Sequence, residues 1–86
     1  MPMDPIKAAQ YSLALINPEL LTLGEQHSDG DGSKHMVFML QEICKGEMSI
    51  GKANRWLGWA QCLMMIYNHA SLAELKDVNR RASDGS

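Results

Sequence analysis

Residues 49–68 read SIGKANRWLGWAQCLMMIYN, and this stretch decides the fold. It holds both tryptophans, one of the two cysteines, one of the two tyrosines and two of the seven methionines. Ser49 is a good helix cap, because its hydroxyl can accept from a first-turn N–H that has no partner within the helix. Counted from Ile50, the positions Ile50, Ala53, Leu57, Ala60, Met64 and Tyr67 recur at three- and four-residue steps and form one apolar stripe. Trp56, Trp59, Leu63 and Ile66 form a second stripe beside it. A helix apolar around most of its circumference must be covered by other helices, so the expected fold is all-α: a small bundle of four or five short helices around a central helix at about 49–68.

A line of small or modest side chains, Gly51, Asn54, Gly58 and Cys62, runs along the same helix. A glycine inside a helix costs roughly 1 kcal/mol relative to alanine, so two of them seven residues apart ask for a packing reason. The first expectation is close approach of another helix of the same chain; the second is a seam between two copies. Gln61 is the strongly polar side chain between Trp56 and Ile66, and once buried its amide needs partners.

The other elements follow from caps and breakers. Asp4-Pro5 opens a helix whose apolar face is Ile6, Ala9, Leu13 and Ile16, and Asn17-Pro18 ends it. A short helix from Pro18 to Leu23 follows, stopped by Gly24. Residues 24–33, GEQHSDGDGS, have no apolar side chain and read as a surface loop. The Asp29-x-Asp31-x-Ser33 spacing resembles the start of a calcium loop, but Lys34 and Leu40 stand where that loop needs glycine and glutamate. Ser33 is expected to cap a helix from Lys34 to Lys45 that buries Met36, Val37, Met39, Leu40, Ile43 and Cys44, with Phe38 on its flank. Gly46 suits the left-handed residue that closes it. After the turn Asn68-His69-Ala70, Ser71 and Glu74 form a capping box for a last helix, Leu72 to about Arg81, burying Leu72, Leu75 and Val78. Residues 1–81 are thus expected as one helical domain, with 82–86 a frayed tail.

Composition excludes several function classes. With 45% hydrophobic and 21% charged residues the chain is an ordinary globular one. At 86 residues it buries only about 60% of its unfolded surface. A formal net charge of −2 argues against nucleic acid as the main partner, which needs clustered Lys and Arg. The uncharged run from Trp56 is interrupted by Gln61, Asn68, His69 and Ser71, too polar for a membrane span, and no secretory signal pattern opens the chain, so the cytoplasm is expected. Cys44 and Cys62 lie on different helices without a CxxC spacing and read as small hydrophobes in a reducing compartment.

No catalytic constellation emerges. His27, His35 and His69 fall in a loop, at a helix start and in a turn, and Ser71 beside His69 is better explained as a cap. The expectation is therefore no enzyme, no catalytic residue, no metal and no cofactor. The methionines on the third and fourth helices either fill an irregular core or line a surface that repacks around a partner. Trp56 and Trp59 raise the second option, because tryptophan is enriched at binding hot spots. The interaction candidates are Gly51, Lys52, Arg55, Trp56, Gly58 and Trp59.

The run GKANRWLGWAQ, 51–61, followed by SLAELKDVNRR, 71–81, resembles small accessory proteins carried by tailed bacteriophages. The matching residues are Arg55, Trp56, Leu57, Gly58, Trp59 and Gln61, then Leu72, Glu74, Leu75, Lys76, Asn79 and Arg80. That group supplies no activity to carry over. The resemblance implies a phage protein acting in the bacterial host cytoplasm by binding and inhibiting or redirecting a host protein. The leading expectation is thus a modulator of a host enzyme or defence complex, with a homodimer, from the line of small residues, as a further form. Two other readings stay open: a small-ligand or nucleotide-binding helical module using Lys52, Arg55 and the tryptophans, and a minor virion assembly protein.

Overall fold

The computed structural model describes residues 3–18 and 32–84. Among these the chain forms four helices and no strand: α1 (Pro5–Leu13), α2 (Gly32–Cys44), α3 (Ile50–Ile66) and α4 (Leu72–Asp84). The expected short helix from Pro18 to Leu23 and most of the loop at 24–33, with its calcium-like spacing and His27, lie outside the described residues.

Local hydrogen bonding sets most of the helix starts. Asp4 accepts from the N–H groups of Ile6 at 2.9 Å and Lys7 at 3.4 Å, and Ser49 accepts from Lys52 at 3.2 Å. Ser71 and Glu74 exchange bonds of 3.1 and 2.8 Å, the expected reciprocal box. Gly46 turns the chain between α2 and α3 at φ +73°. Asn68, at φ 61°, closes α3: the His69 N–H reaches the Met64 carbonyl at 2.8 Å and the Asn68 N–H that of Met65 at 3.2 Å. Asparagine is the commonest substitute for glycine there.

Several boundaries differ from expectation. α1 ends at Leu13 rather than Ile16, because Leu15 and Ile16 bond back only three residues as the chain tightens ahead of Asn17-Pro18. α2 begins at Gly32, so Ser33 lies in its first turn instead of capping it. α3 stops at Ile66, leaving Tyr67 as its C-cap. α4 runs on to Asp84, beyond the expected end at Arg81 and into the residues expected to fray, because burial of Ala82 stabilises the extra turn.

The core lies where α1, α2 and α3 converge, with α4 packed on α1. Met36, Leu40 and Ile43 of α2 meet Leu57, Ala60 and Met64 of α3, all of them buried. Gln61 is buried among three helices: its Nε2 donates to Ser12 Oγ of α1 at 3.2 Å and to Asn79 Oδ1 of α4 at 2.9 Å. At the far end Arg81 lies 4.6 Å over the Tyr11 ring and 3.1 Å from Asp77. The molecule measures 38 × 28 × 18 Å. Layers of helices lie about 10 Å apart, so 18 Å holds two of them, and among the described residues α3 keeps a face without a cover.

A candidate interaction surface on α3

The first expected stripe of α3 is the buried one, but only in its middle. Ala53, Leu57, Ala60 and Met64 are covered, whereas Ile50 is 67% exposed and Tyr67 is also exposed. The neighbouring helices do not reach the ends of the stripe. The second stripe splits. Trp56 and Leu63 are half-buried against the core, while Trp59 is 65% and Ile66 63% exposed.

The line of small residues corrects a sequence expectation. Gly51, Asn54, Gly58 and Cys62 all face outward. A Cβ built on Gly58 meets nothing within 4 Å, and one on Gly51 meets only Arg55 Nη1 at 3.8 Å. Among the described residues, neither glycine therefore makes room for another helix. Among the described residues the arc from Gly51 through Arg55, Gly58, Trp59 and Cys62 to Ile66 carries no covering element. Cys62 faces away from Cys44, and both thiols are free.

Beside this arc, α2 and α3 enclose a shallow cavity of about 190 Å³ lined by His35, Met39, Trp56 and Trp59. Phe38, half-exposed, stacks on His35 at 6.2 Å and tilts against Trp56 at 6.5 Å. Lys52 Nζ lies 4.9 Å over the Trp56 ring, a cation–π contact that holds the ammonium at the rim. Sequence reasoning placed Trp56, Trp59 and Lys52 here and counted Met39 among the methionines of either a core or a partner surface, but it missed His35 and left Phe38 as a flank. Its signal would have been the Lys34–Met39 turn of α2 set against an antiparallel α3 across the short corner at 45–49.

The electrostatics are one-sided. From Ser49 to Asn68 there is no Asp or Glu, and Lys52 and Arg55 are both exposed. Of the remaining expected sites, Ser71 Oγ is engaged as the α4 cap. Among the described residues no three His, Cys, Asp or Glu side chains gather as a metal site, and no helix is long and apolar enough to cross a membrane. A second dent, about 260 Å³ at Asn68–Ser71 and Glu74, is polar and wide open, and a third of about 200 Å³ sits under the 46–50 corner beside Asp4, Pro5 and Ile6. Compared with known proteins, the chain matches no family model, no curated protein and no solved structure.

Proposed function

We propose that the chain is a non-enzymatic protein-interaction module, a phage-encoded inhibitor or modulator that binds a host protein or defence complex in the bacterial cytoplasm. The observation that carries the reading is Trp59, two-thirds exposed at the mouth of the His35–Met39–Trp56 groove with Phe38 beside it. Large apolar side chains gathered on one face of a small domain mark a docking surface, and tryptophan in a partly formed pocket is the commonest anchor of one. The phage and host assignments rest on the resemblance of residues 51–61 and 71–81.

Recovery of one host protein from a bacterial lysate by the tagged chain tests it. Capture is expected to be lost with Trp59→Ala while the far-UV spectrum and melting temperature stay as they were. Capture that survives Trp59→Ala and Phe38→Ala together would end this reading. The alternative of a nucleotide or other small ligand has Lys52 at the groove's rim in its favour. The groove's volume is against it, since ligand pockets run to about 300–1,000 Å³, and a melting shift with nucleotides would reverse that preference. A virion assembly role uses the same surface and is distinguished by finding the chain in purified particles.

A further inference from the structure

We infer that the uncovered face of α3 pairs with the same face of a second copy of this chain, the two helices antiparallel and crossing beside Gly58 and Trp59. The inference goes beyond the host-partner reading and does not depend on it.

The face is bounded by large apolar side chains, Trp59, Met65 and Ile66, all exposed, with Cys62 between them. Burying it removes apolar surface that α1, α2 and α4 leave in water. It runs from Gly51 to Ile66, so full overlap of two antiparallel copies puts the two-fold axis at its midpoint, next to Gly58 and Trp59. Gly58, with nothing near its Cβ position, lets the two backbones approach there, and the two Trp59 rings meet beside the axis.

Charge selects the second copy and the direction. The only charged side chains on α3 are Lys52 and Arg55, both in its first half. In parallel pairing they would oppose their own counterparts. In antiparallel pairing each lies against the second half of the partner helix, which holds no cation and ends in the negative pole of the helix dipole. An acidic partner would also be attracted, but the face offers it only these two cations at one end, whereas a second copy matches its whole length. A single pair of 17-residue helices buries less than the about 1,200 Å² of a standard interface, so the dimer is weak and reversible.

In this register Arg55 faces Cys62 of the second copy. Within one chain the two positions are about 10 Å apart along the helix, too far for a disulfide. On a Cys44→Ser background, Arg55→Cys is therefore expected to give a disulfide-linked dimer as the major product under copper–phenanthroline oxidation. The background protein, whose two Cys62 residues lie about 10 Å out of step, stays monomeric on a denaturing gel. Sedimentation of the wild-type chain is expected to show a reversible monomer–dimer equilibrium, abolished by Gly58→Lys, whose side chain has free space in the folded monomer. A wild-type chain that stays monomeric up to its solubility limit, or cross-linking as efficient through Cys62 alone as with Arg55→Cys, overturns the proposal. These measurements use purified protein, so they fail or succeed separately from lysate capture.

Discussion

Gln61 and Asn79 hold each other by both ends of their amides. Gln61 Nε2 donates to Asn79 Oδ1 at 2.9 Å while Asn79 Nδ2 donates to Gln61 Oε1 at 3.1 Å, and the second Gln61 proton goes to the fully buried Ser12 hydroxyl. α4 packs mainly on α1, so this pair is its principal tie to α3. Gln61→Ala removes the partner of the Ser12 hydroxyl and of both ends of the Asn79 amide, and is expected to cost about 2 kcal/mol of unfolding free energy. Asn79→Ala, at a half-buried site that water can reach, should cost about 1 kcal/mol. Urea unfolding of both single variants and the double variant checks this. A coupling of about 1 kcal/mol between the sites is expected, and simple additivity would show that the amides do not act as a pair.

Two glycines should respond to alanine with opposite signs. Gly58 is mid-helix, exposed and free of neighbours, so Gly58→Ala should raise the stability of the monomer by about 0.5–1 kcal/mol. Gly46 sits at φ +73°, where a Cβ would be only in ordinary contact with Ile6 at 3.5 Å. The cost of Gly46→Ala is therefore backbone strain, about 1–2 kcal/mol. Urea midpoints at low protein concentration decide both, and a destabilising Gly58→Ala would mean that the face is already occupied in the monomer.

The contrast between these glycines shows what was legible in the sequence. Gly46, Asp4, Ser49 and the Ser71–Glu74 box were readable because each acts within four residues of itself. Helix periodicity likewise identified Ala53, Leu57, Ala60 and Met64 as core. It could not say how far along the stripe the neighbours reach, which is why Ile50, Tyr67 and Leu72 were expected inside and lie outside. Nor could it choose which side of an all-round apolar helix is covered: Trp56 and Trp59 belong to one stripe, yet one leans on the core and the other stands in water. Ser12 stayed hidden for a different reason. A serine beside an apolar stripe reads as surface until the amide that satisfies it is found on another helix.

Asp77 gives a pH signature. The hydrogen bond from Arg80 at 2.7 Å, aided by the nearby Arg81 guanidinium, holds its carboxyl below the usual aspartate range. A pKa lower in the folded than in the unfolded chain stabilises the fold above the ordinary aspartate value, and that contribution disappears as pH falls through the folded pKa. Asp77→Asn should therefore lower the urea midpoint at neutral pH and match the wild-type chain in acid. The group is exposed, so the difference should be small and should shrink in high salt. A gap between the two proteins that widens in acid would contradict the assignment.

The two thiols should separate by rate. Cys62 stands exposed on the open face of α3, whereas Cys44 is half-buried and burial pushes its pKa above the ordinary thiol value. The thiolate is the reactive form, so both access and ionisation slow Cys44. Ellman's reagent at neutral pH should titrate one thiol quickly and the second only slowly, with the fast phase missing in Cys62→Ser and the slow phase missing in Cys44→Ser. Raising the pH should accelerate the slow phase, because it increases the thiolate fraction of a group that is still largely protonated at neutrality. If Cys62 proves to be the slow thiol in dilute solution, that face of α3 is covered in the monomer and the helix is turned the other way about its axis.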